Sequence, residues 1–259
     1  MNRSNPQDYI AIFSDVHSNL HALTAVLADM HQEGIKNKVC LGDVVGYGAN
    51  PKECLEIVRK FNCPILLGNH DEAVSVEGKM DRFRDHAKEG AVHSRRELTE
   101  NQLDFLRTLP LTDTDRDMSF VHASLHEPSQ WHYVINSQSA EDHFHRQPTP
   151  YAFCGHSHIP AIFEQCDLDT VQYYPGTDLY EVSDRIFSEM NPLGYKYLVN
   201  VGSVGQPRDH DPRACYVLFN TREKTIEFRR VEYDIAGAAQ AIRKAGLPEF
   251  LARRLSEGK

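Results

Sequence analysis

At 259 residues, 41% apolar and 25% charged, the chain has the composition of an ordinary globular protein, long enough for one large core. Its formal net charge of -9 argues against a general nucleic-acid surface, which asks for a basic face. The opening "MNRSNPQDY" lacks a signal-peptide apolar stretch and no run approaches transmembrane length, so a cytoplasmic protein without a membrane partner is expected.

In chain order, "YIAIFSD" (9–15) is a short apolar run ending in an acid, which suits a buried strand. Leu20, Leu23, Val26, Leu27 and Met30 then repeat at helical spacing, with Gly34 as the helix stop. "KVCLGD" (38–43) is a second strand ending in an acid. Asn50, Pro51 and Glu53 predict an N-cap, a first-turn proline and a capping-box partner for a helix to about Phe61. "PILLGNHD" (64–71) reads as a third strand with polar residues at its exit. This alternation predicts an α/β sheet with parallel strands. Residues 80–108 read helical, with Thr99 and Gln102 as a capping pair. After Pro110 come short β-like segments, among them "MSFVHAS", "YAFCGH", "PAIFEQ", "KYLVNVGS" and "ACYVLFN". A hairpin is expected around "NTREK", and a closing helix over 234–256. No linker composition divides the chain, so residues 1–259 are expected to form a single domain. Residues 165–196, rich in Tyr, Asp and Pro, are expected to form an excursion over the site. The six cysteines form no CxxC pair and several lie inside apolar runs, which reads as reduced core thiols.

The informative pattern is where the polar residues fall. Asp15 with His17, Asp43, Asn69 with His70 and Asp71, His122, and the His156/His158 pair each follow an apolar strand-like run. Ligand sites of open α/β sheets form at the carboxyl ends of strands, so five segments deliver Asp, Asn and His to places where they can converge. Carboxylate, amide oxygen and imidazole together suit divalent transition ions better than calcium or a thiolate zinc site.

"DVH" (15–17), "GDVVGYG" (42–48), "GNHD" (68–71), "VHAS" (121–124) and "GHSH" (155–158) resemble, in order and spacing, the five-part signature of calcineurin-like metallophosphoesterases. "NVGSVGQPRD" (200–209) is similar to a segment of the compact bacterial and archaeal members. The resemblance implies an α/β fold of two packed β-sheets flanked by helices, a four-layer αββα sandwich. It also implies two divalent metal ions (Mn, Fe, Zn or Ni). Asp15, His17 and His158 would hold one ion; Asn69, His122 and His156 the other; Asp43 would bridge them. The implied reaction is in-line attack on phosphorus by a bridging hydroxide held between ions about 3.5–4 Å apart. His70 matches the family's catalytic histidine. Asp71 either orients His70 or caps a helix.

Arg208, after a glycine-rich turn, is a candidate phosphate contact that backbone N–H groups of the turn would support. Within the family, a nucleotide substrate is expected, either a cyclic nucleotide or a dinucleoside polyphosphate. The arginines of "GDYVDRG" and "RGNHE" in Ser/Thr protein phosphatases have no counterpart in "GDVVGYG" and "LGNHD". The remaining alternatives are that phosphatase class and a non-catalytic nucleotide- or protein-binding module on the same fold. Three further features read as structural. "DTDRDMS" lacks the glycine and acid of a calcium loop and reads as a solvated turn; "HFH" (143–145) reads as surface; Trp131 with Tyr133 reads as a packed aromatic edge more readily than a pocket wall.

Overall fold

The computed structural model describes residues 5–165, 170–176, 179–180 and 195–259. The first unit is a strand β1 (Tyr9–Phe13), a helix α1 (Leu20–Gln32) and a strand β2 (Asn37–Cys40) parallel to β1. Alternation explains the role of β1: Ala11 and Phe13 face the helices, while Ile12 faces the second sheet. The helix stops where predicted, with Gly34 in the left-handed region at φ 72°.

Helix α2 (Pro51–Arg59) begins at Asn50, but the expected capping box does not form. The Asn50 N–H donates instead to the Ser18 carbonyl at 3.0 Å, so no free donor is left for Glu53. The third predicted strand is reduced to one parallel bridge, Cys40 to Ile65. Two hydrogen bonds tie Cys40 to Pro64 and Leu66, and then the Leu67 N–H leaves the sheet for the Pro110 carbonyl. That departure allows α3 (Asn69–Ser75) to begin at once. The helical stretch that follows is two helices, α4 (Asp85–Glu97) and α5 (Glu100–Arg107), separated at the Thr99–Gln102 capping box, which does form.

The second half builds β3 (Thr112–Asp115), β4 (Met118–Val121), α6 (Ser137–Phe144), β5 (Tyr151–Cys154), β6 (Ala161–Gln165), β7 (Val171–Pro175), β8 (Leu179–Tyr180), β9 (Lys196–Asn200), β10 (Ala214–Asn220) and β11 (Ile226–Val231). The "DTDRDMS" segment is mostly strand, with only Arg116 and Asp117 forming the turn of the antiparallel β3–β4 hairpin. β10 and β11 form the hairpin expected around "NTREK". The predicted closing helix is broken into α7 (Ile235–Lys244) and α8 (Glu249–Glu257). Gly246, in the left-handed region at φ 70°, ends the first, and Pro248, which lacks an N–H, precedes the second.

The strands form two sheets, and in the first of them β1 and β2 run parallel as the opening predicts. Their orders are β2-β1-β10-β11-β8 and β3-β4-β5-β9-β6-β7, and both mix parallel and antiparallel pairs. Ile12, Val39, Phe120, Phe153, Val199, Val217 and Phe219 fill the space between the sheets. The outer face of the first sheet packs on α1 and α2 through residues such as Leu23, Val26, Leu55 and Leu218. That of the second packs on α6 through Phe144, Ala140 and Leu198. The result is the four-layer αββα sandwich. Of the stretch 165–196, residues 171–175 are the strand β7 on the edge of the six-stranded sheet. The expected excursion over the site otherwise lies largely outside the described residues.

The site formed at the strand ends

Each polar segment singled out in the sequence leaves a strand at the same end of the sandwich. Asp15 and His17 follow β1, Asp43 follows β2, Asn69 opens α3, His122 follows β4, and His156 and His158 follow β5. All but Asn69 are buried, at 5% exposure or less. Asp15, His17, Asp43, His156 and His158 have φ between 47° and 64°. A left-handed backbone costs an L-residue free energy and persists only when its surroundings demand it, so five such residues in one place mark a site whose side-chain directions are imposed.

Two glycines make room for this arrangement. A Cβ on Gly68 would fall 2.0 Å from an Asp43 carboxylate oxygen, and one on Gly155 would fall 2.4 Å from an Asp15 oxygen. The glycines of "GNHD" and "GHSH" are therefore needed for the close approach of backbone to carboxylate.

The hydrogen bonds at the back of the site determine what faces inward. His17 donates from Nδ1 to the Val45 carbonyl at 3.2 Å, His122 to Leu41 at 3.0 Å and His158 to Gln206 at 2.6 Å. A carbonyl only accepts, so in each neutral imidazole the Nε2 lone pair points into the centre. There, His17 Nε2 and His158 Nε2 lie 3.0 Å apart, with Asp15 Oδ1 3.6 and 3.2 Å away. His122 Nε2 lies 3.3 Å from Asp43 Oδ2 and 3.3 Å from the Asn69 oxygen. Asp43 Oδ2 is also 3.6 Å from His17 Nε2, so this carboxylate touches both groups. Asp15 Oδ1 and His156 Nε2 are buried without a hydrogen-bond partner among the described residues.

Acceptors facing acceptors without a donor are repelled unless positive charge sits between them. The protonation equilibria say the same. Burial pushes the Asp15 and Asp43 carboxyls up, yet the surrounding imidazoles, His158 for Asp15 and His122 for Asp43, hold both well below the usual range. Burial works against charge on His122, but Asp43 and Asp15 raise it to about 9, so a proton stands where a cation would. Burial pushes His156 and His158 down to about 3, leaving them as neutral donors of lone pairs. Imidazole, carboxylate and amide oxygen are ligands of divalent transition ions, and the donor set fits them.

His70 sits beside this centre. Its N–H donates to Asp43 Oδ1 at 2.8 Å, and its ring lies against Tyr47, Phe83 and His17 at 4.5, 4.4 and 4.8 Å between centroids. Burial pushes its imidazole well below the usual value, and Asp43 only partly offsets this. Of the two roles weighed for Asp71, the hydrogen bonds describe the capping one. Its oxygens accept from Val45 N–H at 3.1 Å and Gly68 N–H at 3.2 Å, tying the two ligand loops together. Burial, with Asp43 nearby, raises this carboxyl to about 7.

The glycine-rich turn before Arg208 does not aim its amides at a ligand. The N–H groups of Val204 and Gly205 donate to the Ser14 and Asp15 carbonyls, and Ser203 Oγ donates to Asp15 as well. The turn is a brace for the strand end that carries Asp15. Arg208 itself lines a cleft of about 710 Å³ that also reaches Asn69, His70 and His156. Trp131 and Tyr133 line that cleft, so the aromatic edge read in the sequence is a pocket wall. Tyr133 is half-exposed and stacks on His156 at 4.0 Å. Phe83, Phe250 and Arg254 complete the wall. Nothing local in the sequence pointed to these three.

The "HFH" reading needs correction. His143 is fully buried on the inner face of α6, where its Nδ1 accepts from the Leu125 N–H at 3.1 Å. His145, one residue past the helix, is exposed. Among the described residues no helix is long and apolar enough to cross a membrane, and five cysteines are free, four of them buried.

A family model described as the calcineurin-like phosphoesterase superfamily domain matches residues 9–224. The chain belongs to this family of metal-binding phosphoesterases. An uncharacterized protein of Methanocaldococcus jannaschii is 39% identical over 254 residues, covering 96% of this chain and 98% of the relative. The crystal structure of a metallophosphoesterase from Sphaerobacter thermophilus is 37% identical with a TM-score of 0.82, covering 97% of this chain and 99% of that one. A hypothetical protein from Pyrococcus horikoshii OT3, 20% identical, shares the fold over 97% of this chain and 98% of its own, with a TM-score of 0.73.

Proposed function

We propose that the chain is a dinuclear-metal phosphoesterase that hydrolyses a phosphodiester or phosphoanhydride, with a nucleotide as the substrate class. The observation that carries this reading is the convergence of buried imidazole Nε2 atoms and carboxylate oxygens, with Asp15 Oδ1 and His156 Nε2 left without a hydrogen-bond partner among the described residues. Asp15, His17 and His158 would hold one ion, Asn69, His122 and His156 the other, with Asp43 shared. When bound, two such ions supply charge neutralisation for phosphoryl oxygens and an acidified attacking water.

The chain's own groups do the rest. The carbonyls of Val45, Leu41 and Gln206 hold the imidazoles in the tautomer that directs Nε2 inward. His70, neutral and packed between Tyr47 and Phe83, is placed to hold a proton toward the leaving oxygen. Arg208 binds phosphoryl oxygen from the cleft side. The aromatic lining of the cleft, Trp131, Tyr133, Phe83 and Phe250, suits a planar base. The cleft volume is within the range of about 300–1,000 Å³ of small-molecule sites. A protein phosphatase is disfavoured by Tyr47 and Leu67, which stand where the motifs resembled by that class carry arginine.

The test is turnover by metal-stripped protein resupplied with Mn, Ni, Zn, Fe or Mg. The panel covers bis-p-nitrophenyl phosphate, cyclic nucleotides, dinucleoside polyphosphates and a phosphopeptide. Metal-dependent turnover of the nucleotide compounds is expected, and His70→Ala should lose most of it while keeping its metal. No turnover with any ion would sink the enzyme reading in favour of a binding module.

A further inference from the structure

The cleft beside the metal centre carries charge of the opposite sign to the chain as a whole. The chain's formal net charge is -9, yet Arg82, Arg84, Arg208 and Arg254 all line this cleft. None of them has a carboxylate partner within ion-pair distance among the described residues. Glu72 is the one acid on the described wall, and Lys79 neutralises it at 2.9 Å.

Two of the arginines are gathered around a single ring. The guanidinium carbons of Arg208 and Arg254 lie 5.7 and 5.8 Å from the centre of Tyr47. They arrive from distant parts of the chain, Arg208 from the loop after β9 and Arg254 from α8. Arg208 is held by Gln206 Oε1 at 2.9 Å and by the Tyr47 hydroxyl, and its Nε is buried without a hydrogen-bond partner among the described residues. Arg254 lies over Phe250 at 5.2 Å and donates to the Lys259 carbonyl. Burial and the neighbouring Arg208 together lower Arg254 to about 10. Two half-buried guanidinium groups around one ring, neither with a carboxylate partner among the described residues, repel each other, and a bound anion relieves that repulsion. A simple phosphodiester brings one negative charge, and the metal centre already claims it. The guanidinium pair therefore answers to charge further along the ligand.

Building on the phosphoesterase reading, we propose that Arg208 and Arg254, around Tyr47, form a subsite for a second phosphate group. The cleft then selects compounds that carry at least one phosphate beyond the one at the metal centre, a nucleoside polyphosphate or similar phosphoanhydride over a monophosphate diester.

Trp131 is the chain's one tryptophan and lies on the wall of the same cleft, so its fluorescence reports occupancy. The experiment titrates metal-loaded protein with orthophosphate and with pyrophosphate at a fixed free concentration of manganese. It compares the wild type with Arg254→Met and Arg254→Lys. Pyrophosphate should bind the wild type more tightly than orthophosphate. Arg254→Met should cut that preference roughly tenfold or more, as expected for a lost charge-assisted hydrogen bond, and Arg254→Lys should restore part of it. In turnover, Arg254→Met should lose at least tenfold more kcat/KM on a dinucleoside polyphosphate than on bis-p-nitrophenyl phosphate. Thermal melting checks that the variants fold. Equal losses on both anions, or no wild-type preference for pyrophosphate, would overturn the subsite. Arg254-dependent pyrophosphate binding without turnover of any ester would support the subsite and sink the hydrolase reading alone.

Discussion

Asp43 touches both groups of candidate ligands, since one carboxylate oxygen reaches His17 and His122 while the other accepts the His70 N–H. Asp43→Asn keeps the shape but removes the charge. Metal analysis of the purified variant should show fewer ions per chain than the wild type, with turnover abolished. A full complement of metal would contradict the shared-ligand assignment. Gly68→Ala tests the same carboxylate from behind, because the added methyl must displace Asp43 or the backbone. A stability loss of about 1–3 kcal/mol by denaturant melts, with reduced metal content, is expected for such overpacking. A variant with unchanged stability and metal would mean that the loop yields freely. These ligands were legible because each follows an apolar strand-like run, and a strand end is a defined place in an α/β protein. Arg254, Phe250 and Phe83 were not legible, because only the folded chain brings α8 and residue 83 to the cleft.

Among the elements, local signals succeeded where the backbone donors they use were free. The Thr99–Gln102 box formed because no other group competes for the Thr99 N–H, which the Gln102 Oε1 accepts from at 2.9 Å. The Asn50–Glu53 box failed because Ser18 takes the Asn50 N–H, a contact between residues 32 positions apart that no local rule sees. Thr99→Ala should therefore cost about 1 kcal/mol, seen as a fall of roughly 2–4 °C in Tm, and Asn50→Ala should cost less through this route. Equal losses would show that the box contributes nothing. The missing third strand has the same kind of cause. "PILL" has strand composition, but Pro110 captures the Leu67 N–H and the chain turns into α3.

At the scale of the molecule, the parallel direction read for the opening strands holds for β1, β2 and the Cys40–Ile65 bridge, whereas the direction of the later strands was not legible. Strand composition does not say whether neighbours run parallel, so the mixed order of both sheets followed only from the coordinates. His143 is a further case, since a histidine in a polar stretch gives no sign that one helix face will be buried. That burial, aided by Lys196, pushes its imidazole down to about 3. An unfolded histidine binds a proton near pH 6.5, so between about pH 6.5 and 3 the unfolded state takes up a proton that the folded state excludes. Stability should therefore fall as the pH drops through that window. Denaturant melts of metal-free protein against pH should show a shallower decline for His143→Gln than for the wild type. Parallel declines would mean that His143 is protonated in the fold.

The place of β1 has a consequence in time. It lies between β2, which follows it closely, and β10, whose register pairs Tyr9 with Asn220. A ribosome adding about 5–20 residues per second needs roughly 10–40 s to cover the 211 positions from Tyr9 to Asn220. Throughout that interval the β10-facing edge of β1 has no partner, and the strand end that bears Asp15 lacks its brace from residues 203–205. The candidate metal site is thus assembled late in synthesis, and the nascent chain carries an open strand edge that cellular holdases are suited to cover.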